Sequence, residues 1–306
     1  MKKLFFSLAL IFIFSLFSCS FDYLKFFFRG PHVDERAATI KKLSSPTTEN
    51  DEINFLVLTD LHFGGKKQRQ ESLFIKSIKN RKIDLILILG DLVDTGFEEN
   101  YSESESFVNK IKSNLSKSDI PIYVLLGNHD LYQDGYDCWK KLSFSTNKSA
   151  SYYYFTTPIN SEKNEYRSWY FLDTASGILG SNQLENFKEL AEKDKNQKFV
   201  FSHYPIYADM TMFDYFRLSD TRERALLIEI CDKNNVDLVF SGHWHSGGRY
   251  NFGNFTEFCF KSFCENRDDE NQWTYVRLNE NSQNIQFENY LVKNGKLKVS
   301  TVNYRY

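Results

Sequence analysis

Short apolar runs closed by a polar residue recur along this chain, at residues 53–59, 83–89, 120–126, 168–172, 198–202 and 236–241. Runs of this length that stay apolar at consecutive positions mark strands buried on both faces. Stretches with helical spacing lie between them and predict helices over residues 68–80, 103–116, 182–193 and 219–234. Strands and helices in alternation predict an α/β fold. After Tyr250 the texture changes, because residues 255–260, 273–278, 285–291 and 296–303 read as successive strands with Asn294-Gly295 as a turn signal. That pattern predicts an antiparallel finish to a second sheet. There is no internal repeat.

Chemistry collects where these runs end. Asp60-Leu61-His62, Gly90-Asp91, Gly127-Asn128-His129-Asp130, Ser202-His203-Tyr204 and Gly242-His243-Trp244-His245 each close or follow an apolar run. In an open α/β sheet the loops leaving the carboxyl ends of strands gather at one edge, so strings far apart in sequence converge on one crevice. Imidazole nitrogens, carboxylate oxygens and one amide oxygen, with no thiolate, suit iron, manganese or zinc rather than a structural zinc held by cysteines. Two divalent ions bring about four positive charges; Asp60 and Asp91 cancel two and a bridging hydroxide a third, which leaves a field suited to a phosphate ester. Such ions lower the pKa of bound water toward ~7, and a pair ~3.5–4 Å apart clamps attacking and leaving oxygens in line. A lone histidine or a lone Gly-Asp is ordinarily a surface or turn residue. Five such strings, in this order and at strand ends, define a candidate site.

The order Asp-x-His, Gly-Asp, Gly-Asn-His-Asp, His, Gly-His-x-His resembles the calcineurin-like metallophosphoesterase family over residues 53–250. The resemblance implies a metallophosphoesterase-like β-sandwich flanked by helices, in four layers α/β/β/α. It implies that Asp60, His62 and His245 bind one metal, that Asn128, His203 and His243 bind the other, and that Asp91 bridges them. His129 matches a histidine that is no ligand and is expected to stabilise the transition state or protonate the leaving oxygen, with Asp130 orienting it. Asp94 is expected to support the ligands from outside. Asp173-Thr174, with Gly177, Gly180 and Gln183-Leu184, resembles another family segment, read here as a turn and helix start rather than a catalytic element. The implied activity is two-metal hydrolysis of phosphoric esters, monoester or diester. A metal- or ligand-binding surface lipoprotein without turnover is the alternative, and His129 and Asp130 beside seven ligand positions speak against it.

The amino terminus carries a separate signal. Lys2-Lys3 and the uncharged run 4–17 have the form of a secretory signal, and the run is shorter than the ~20 residues of a spanning helix. Leu16-Phe17-Ser18-Cys19 resembles a bacterial lipoprotein cleavage site. The expectation is a signal peptide at 1–18, a lipidated Cys19 with a tether through residue 52, and one catalytic domain at 53–306, exported and anchored to a cell-envelope membrane. An uncleaved anchor, helped by residues 21–28, and soluble secretion are the alternatives; for residues 20–52 a packed arm is the alternative to a tether.

Composition adds limits. Lys and Arg (38) nearly balance Asp and Glu (40), so no nucleic-acid surface is indicated. Hydrophobic content of 42% with 17% aromatic residues provides for a large core. Besides Cys19 the chain has Cys138, Cys231, Cys259 and Cys264; Cys259 and Cys264 would either pair across a tight loop or both stay reduced, and Cys231 reads as a core residue. For substrate contact the candidates are Phe63, Tyr204, Trp244, Met210, Met212, Phe213 and Tyr215, which would form an apolar lip or simply pack. Arg222, Arg224 and Arg249 would meet a second phosphate or stand as solvated charge. The oligomeric state is not legible.

Overall fold

Alternation within the apolar runs explains the layering seen in the computed structural model, which describes residues 30–306 apart from 47–51, 68, 118, 161–162 and 210–213. In β2 (Glu52–Leu58) and β3 (Leu85–Ile88), Phe55, Val57, Leu85 and Leu87 point to one side, and Leu56, Leu58, Ile86 and Ile88 to the other. The first set meets Tyr153 and Phe155 of β5 (Tyr153–Asn160), Trp169 and Phe171 of β6 (Glu165–Phe171), Phe199 and Phe201 of β7 (Gln197–Phe201) and Phe240 of β8 (Val236–Ser241). Rings stack through this inner layer, Phe171 on Phe201 at 4.5 Å and Phe201 on Phe240 at 5.0 Å between centroids. The aromatic richness of the chain thus fills a sandwich core. The second set packs against Phe74 and Ile78 of a helix at Glu71–Ile78 and Phe107 and Ile111 of a helix at Glu98–Asn114. On the far side, Tyr170, Leu172, Val200 and Val239 pack against helices Ser181–Lys193 and Thr221–Lys233. Four layers, α/β/β/α, result, as the family resemblance implied.

One described sheet has the order β1-β5-β6-β7-β8-β10-β9 and the other β13-β12-β11-β2-β3-β4, where β1 is Lys41–Lys42, β4 Ile122–Val124, β9 Gly248–Asn251, β10 Thr256–Cys259, β11 Glu270–Asn279, β12 Asn284–Lys293 and β13 Lys296–Arg305. The last three strands form the antiparallel finish, with β11 antiparallel to β2. The run at 255–260 departs from the expectation: β10 pairs parallel with β8 in the other sheet, and so joins the strand that leads into Gly242-His243. The helix predicted from 103 begins at Glu98, because Phe97 is an extended cap and Glu98 and Glu99 sit favourably in the first turn.

The tether reading is corrected for residues 30–46. Val33 and Ala37 are fully buried in the helix-facing core, and Lys41–Lys42 adds a parallel strand to β5. Arg36 forms a buried fork on Asp173, 3.0 and 2.9 Å from its two oxygens. This stretch is the packed arm. The signal run and Cys19 lie outside the described residues, and no described helix is long and apolar enough to cross a membrane.

Candidate metal centre

Four of the seven expected ligands sit in left-handed backbone where their strands end: Asp60 (φ 53°), His62 (φ 49°), Asp91 (φ 51°) and His243 (φ 59°). This region is costly for residues with a Cβ, and its concentration here marks a site held in place by its surroundings. Close backbone approach is also required, because a Cβ on Gly90 would lie 2.5 Å from His203 Nδ1 and one on Gly127 2.1 Å from the Asp91 amide nitrogen. The glycines of Gly-Asp and Gly-Asn are therefore packing requirements of the site.

The seven residues converge in two groups that share Asp91. Asp91 Oδ2 lies 3.6 Å from His62 Nε2, and Asp91 Oδ1 lies 3.4 Å from His203 Nε2. On the first side, His62 and His245 present their Nε2 atoms to each other at 3.3 Å, and Asp60 Oδ1 is 3.2 Å from His245 Nε2. On the second, Asn128 Oδ1 is 3.1 Å from His203 Nε2, and His203 and His243 rings are 5.1 Å apart. The outer nitrogens are already engaged: His203 Nδ1 donates to Leu89 O at 2.8 Å and His243 Nε2 to Tyr215 O at 3.0 Å. This fixes the tautomers and leaves His203 Nε2 and His243 Nδ1 as lone-pair donors. Among the described residues, buried Asp60 Oδ1 meets the His245 imidazole at 3.2 Å but no well-aligned hydrogen-bond donor, an arrangement that a cation would satisfy. The donor set fits divalent metal ions. A sulfur that the sequence reading did not include also lies here, since Cys264 groups with His62 and His245. Cys259 and Cys264 are both reduced and buried.

Charge in the site follows from burial and proximity. Burial opposes ionisation of Asp91, but His203, His129 and His62 override it and hold its carboxyl well below the usual range. His203 is pushed up to about 9, burial being outweighed by Asp91 and Asp60. Burial and the neighbouring His203 push His243 down to about 3.

Asp94, not Asp130, orients His129. The Asp94 carbonyl accepts from His129 Nδ1 at 2.7 Å, and its carboxylate stands 3.4 Å from His62 Nδ1. Asp130 is fully buried and accepts from the amides of Gly127 (2.9 Å), Leu92 (3.1 Å) and Val93 (3.3 Å), so it joins the Gly-Asp and Gly-Asn loops. Burial and nearby Asp91 raise its pKa to about 7. The expected contact fails because the short 3-10 turn His129–Leu131 directs Asp130 inward, while His129 lines the cavity. Thr174 is another positioning residue, its hydroxyl accepting from the amides of His203 and Tyr204 at 3.0 Å each.

A cavity of about 270 Å³ opens over Asp91, His129, His243 and His245, walled by Tyr215, Phe216 and Trp244 and flanked by Lys67 and Arg267. Phe63 belongs to the core and Tyr204 stacks on His243 at 3.7 Å, whereas Met210, Met212 and Phe213 lie outside the described residues. The arginines named from sequence are elsewhere. Arg222 borders a surface cavity between two helices, Arg224 donates to Leu218 O, and Arg249 lines a cavity beside β9 and β10.

Buried carboxylates and imidazoles at the strand ends of a four-layer sandwich define a dimetal phosphoesterase. Residues 53–247 match the family model described as calcineurin-like phosphoesterase, and the chain belongs to that family. It is 23% identical over 200 residues to a protein of Fibrobacter succinogenes named "Probable cyclic nucleotide phosphodiesterase", a match covering 62% of this chain and 71% of that one. A protein of the same name from Colwellia psychrerythraea is 26% identical over 218 residues, with 68% and 76% covered. The crystal structure of a dimetal phosphatase from Danio rerio superposes with a TM-score of 0.56 at 12% identity, over 83% of this chain and 99% of that one, and so shares the fold. The protein is a metal-dependent phosphoester hydrolase.

Proposed function

We propose that this protein hydrolyses phosphodiesters of the nucleotide type, with Asp60, His62 and His245 holding one metal ion, Asn128, His203 and His243 the other, and Asp91 shared between them. The observation that carries the reading is the position of Asp91, one oxygen toward each histidine group, beneath an open cavity. Two bound ions, iron, manganese or zinc from the donor chemistry, would supply Lewis-acid charge and lower the pKa of water toward ~7. The remaining work belongs to the chain. Leu89 O, Tyr215 O and the Asp94 carboxylate orient three imidazoles, and His129 offers Nε2 to a leaving oxygen because its Nδ1 is engaged with Asp94 O. Tyr215, Phe216 and Trp244 line the cavity with aromatic rings suited to packing against a nucleobase, and the names of the relatives support the same substrate class. The test is chelator-treated protein resupplied with manganese, iron or zinc and given cyclic nucleotides, bis(p-nitrophenyl) phosphate and p-nitrophenyl phosphate. Metal-dependent turnover that favours the diesters is expected, with two ions per chain by elemental analysis. Preference for the monoester would overturn the substrate class, and turnover without metal the mechanism.

The cellular setting is part of the proposal: cleavage after Ser18, a lipid on Cys19, and a catalytic domain displayed from a cell-envelope membrane. The basic pair Lys2-Lys3, the short apolar run and the Leu-Phe-Ser-Cys string support it. Substituting Cys19→Ser is expected to release the protein to the soluble fraction, since acyl chains contribute ~0.8 kcal/mol per buried methylene. Retention of the serine variant on membranes, with residues 1–18 still attached, would favour an uncleaved anchor.

A further inference from the structure

Resting on the assignment of Asp60, His62 and His245 to one metal ion, we propose that the thiolate of Cys264 is a further ligand of that ion, so that the two ions occupy chemically unlike sites. The ligand atoms of His62, His245 and Cys264 lie within 4.8 Å of one another. Donors bonded to one ion at about 2.0–2.3 Å stand roughly 3–4.5 Å apart, so the three are spaced for a shared ion. Their neighbours point to a cation as well. His62 and His245 aim Nε2 at Nε2 across 3.3 Å, and Asp60 Oδ1, fully buried, faces the same His245 nitrogen at 3.2 Å with no well-aligned donor among the described residues. One cation satisfies all of these atoms together.

Backbone contacts place the sulfur. Phe263 is rooted in the helix-facing core and its amide donates to Thr59 O at 2.8 Å, while the Cys264 amide donates to Asp60 O at 3.1 Å. Cys264 also pairs with Arg69 in an isolated antiparallel bridge, and Arg69 Nη1 donates to His62 O at 2.8 Å. Asn266 donates from its side chain to His245 O at 3.3 Å. The segment carrying Cys264 is thus stitched to the loops of all three ligands. Cys259 makes the contrast: its sulfur donates to Gly242 O at 3.1 Å, whereas among the described residues no hydrogen bond engages the fully buried sulfur of Cys264. On binding, the S–H bond gives way to a bond from sulfur to metal, and the proton passes to solvent. A thiolate favours zinc or iron over manganese. Asp91, His203 and His243 group without a sulfur, so the second site stays open to a harder ion.

The test uses the full chain, stripped with chelator and reloaded. Cobalt(II) is expected to give a near-ultraviolet charge-transfer band from sulfur to metal, which should vanish in Cys264→Ser and persist in Cys138→Ser, a change on the helix Gly135–Lys140. With zinc, X-ray absorption of the unaltered protein should show sulfur at about 2.3 Å, about one sulfur for every two ions, beside nitrogen and oxygen at about 2.0–2.2 Å. That readout needs no variant to fold. In chelator competition, Cys264→Ser should hold its tighter zinc at least about 100-fold more weakly, with manganese affinity changed less than about threefold. A band that survives Cys264→Ser, or zinc with nitrogen and oxygen neighbours alone, overturns the thiolate ligand and leaves the two-metal reading standing. Protein that takes up no metal overturns the two-metal reading, and the thiolate ligand with it.

Discussion

Asp91→Asn is expected to lose one or both metal ions and to lower turnover on the order of 10³-fold or more, with the fold intact. The physical reason lies in what the amide keeps and what it loses. Asp91 Oδ1 accepts the His129 amide at 2.8 Å, and an asparagine oxygen would preserve that bond and with it the loop. The opposite side changes in kind: Oδ2, 3.6 Å from His62 Nε2, would become an NH2 group with no lone pair to offer a cation. Net negative charge also falls by one in a buried site, where an unmatched metal charge is most costly. Elemental analysis and a thermal melt beside the chromogenic assay check this. Two tightly held ions with near-normal turnover would sink the shared position of Asp91.

His129→Ala should separate binding from catalysis, leaving metal content near that of the unaltered protein because all seven proposed ligands remain. Its ring borders the cavity, partly exposed, with Nδ1 held by Asp94 O. A positioned acid typically contributes ~10²–10⁴-fold, or about 3–5 kcal/mol of barrier. An alkyl ester, with a poor leaving group, should show the full loss, and a nitrophenyl ester a smaller one if His129 acts as the general acid. An equal loss on both would assign it instead to stabilising charge on the phosphoryl oxygens. Full activity on both, or loss of a metal, would remove His129 from the proposed machinery.

Much of the site was legible because its chemistry is local. Each donor string stands within a few residues of the end of an apolar run, and residues that end neighbouring parallel strands meet at one edge whatever the details of packing. Asp60, His62, Asp91, Asn128, His203, His243 and His245 therefore converge as the motif order implied. The double-faced burial of 53–59 and 83–89 is likewise written in consecutive apolar positions, so the sandwich core and the helix-facing cores follow from period two alone.

What the amino-acid sequence determined by itself was thus the strand runs, the donor chemistry at their ends and the family they resemble. Tertiary structure decided everything that depends on partners distant in the chain. Arg36 meets Asp173 across the fold, which makes residues 30–46 an arm rather than a tether, and no local pattern marks a helix as short as Val33–Arg36. Strand 256–259 lies between β8 and β9 in one sheet and does not join β11 to β13 in the other, because hydrophobic pattern specifies a buried strand but not its sheet. Asp94 displaced Asp130 as the partner of His129 through the direction of one 3-10 turn. The cations over the site proved to be Lys67 and Arg267, placed by loop geometry and by stacking on Trp244. Periodicity encodes which face of an element is buried; which elements then touch is settled only when the whole chain packs.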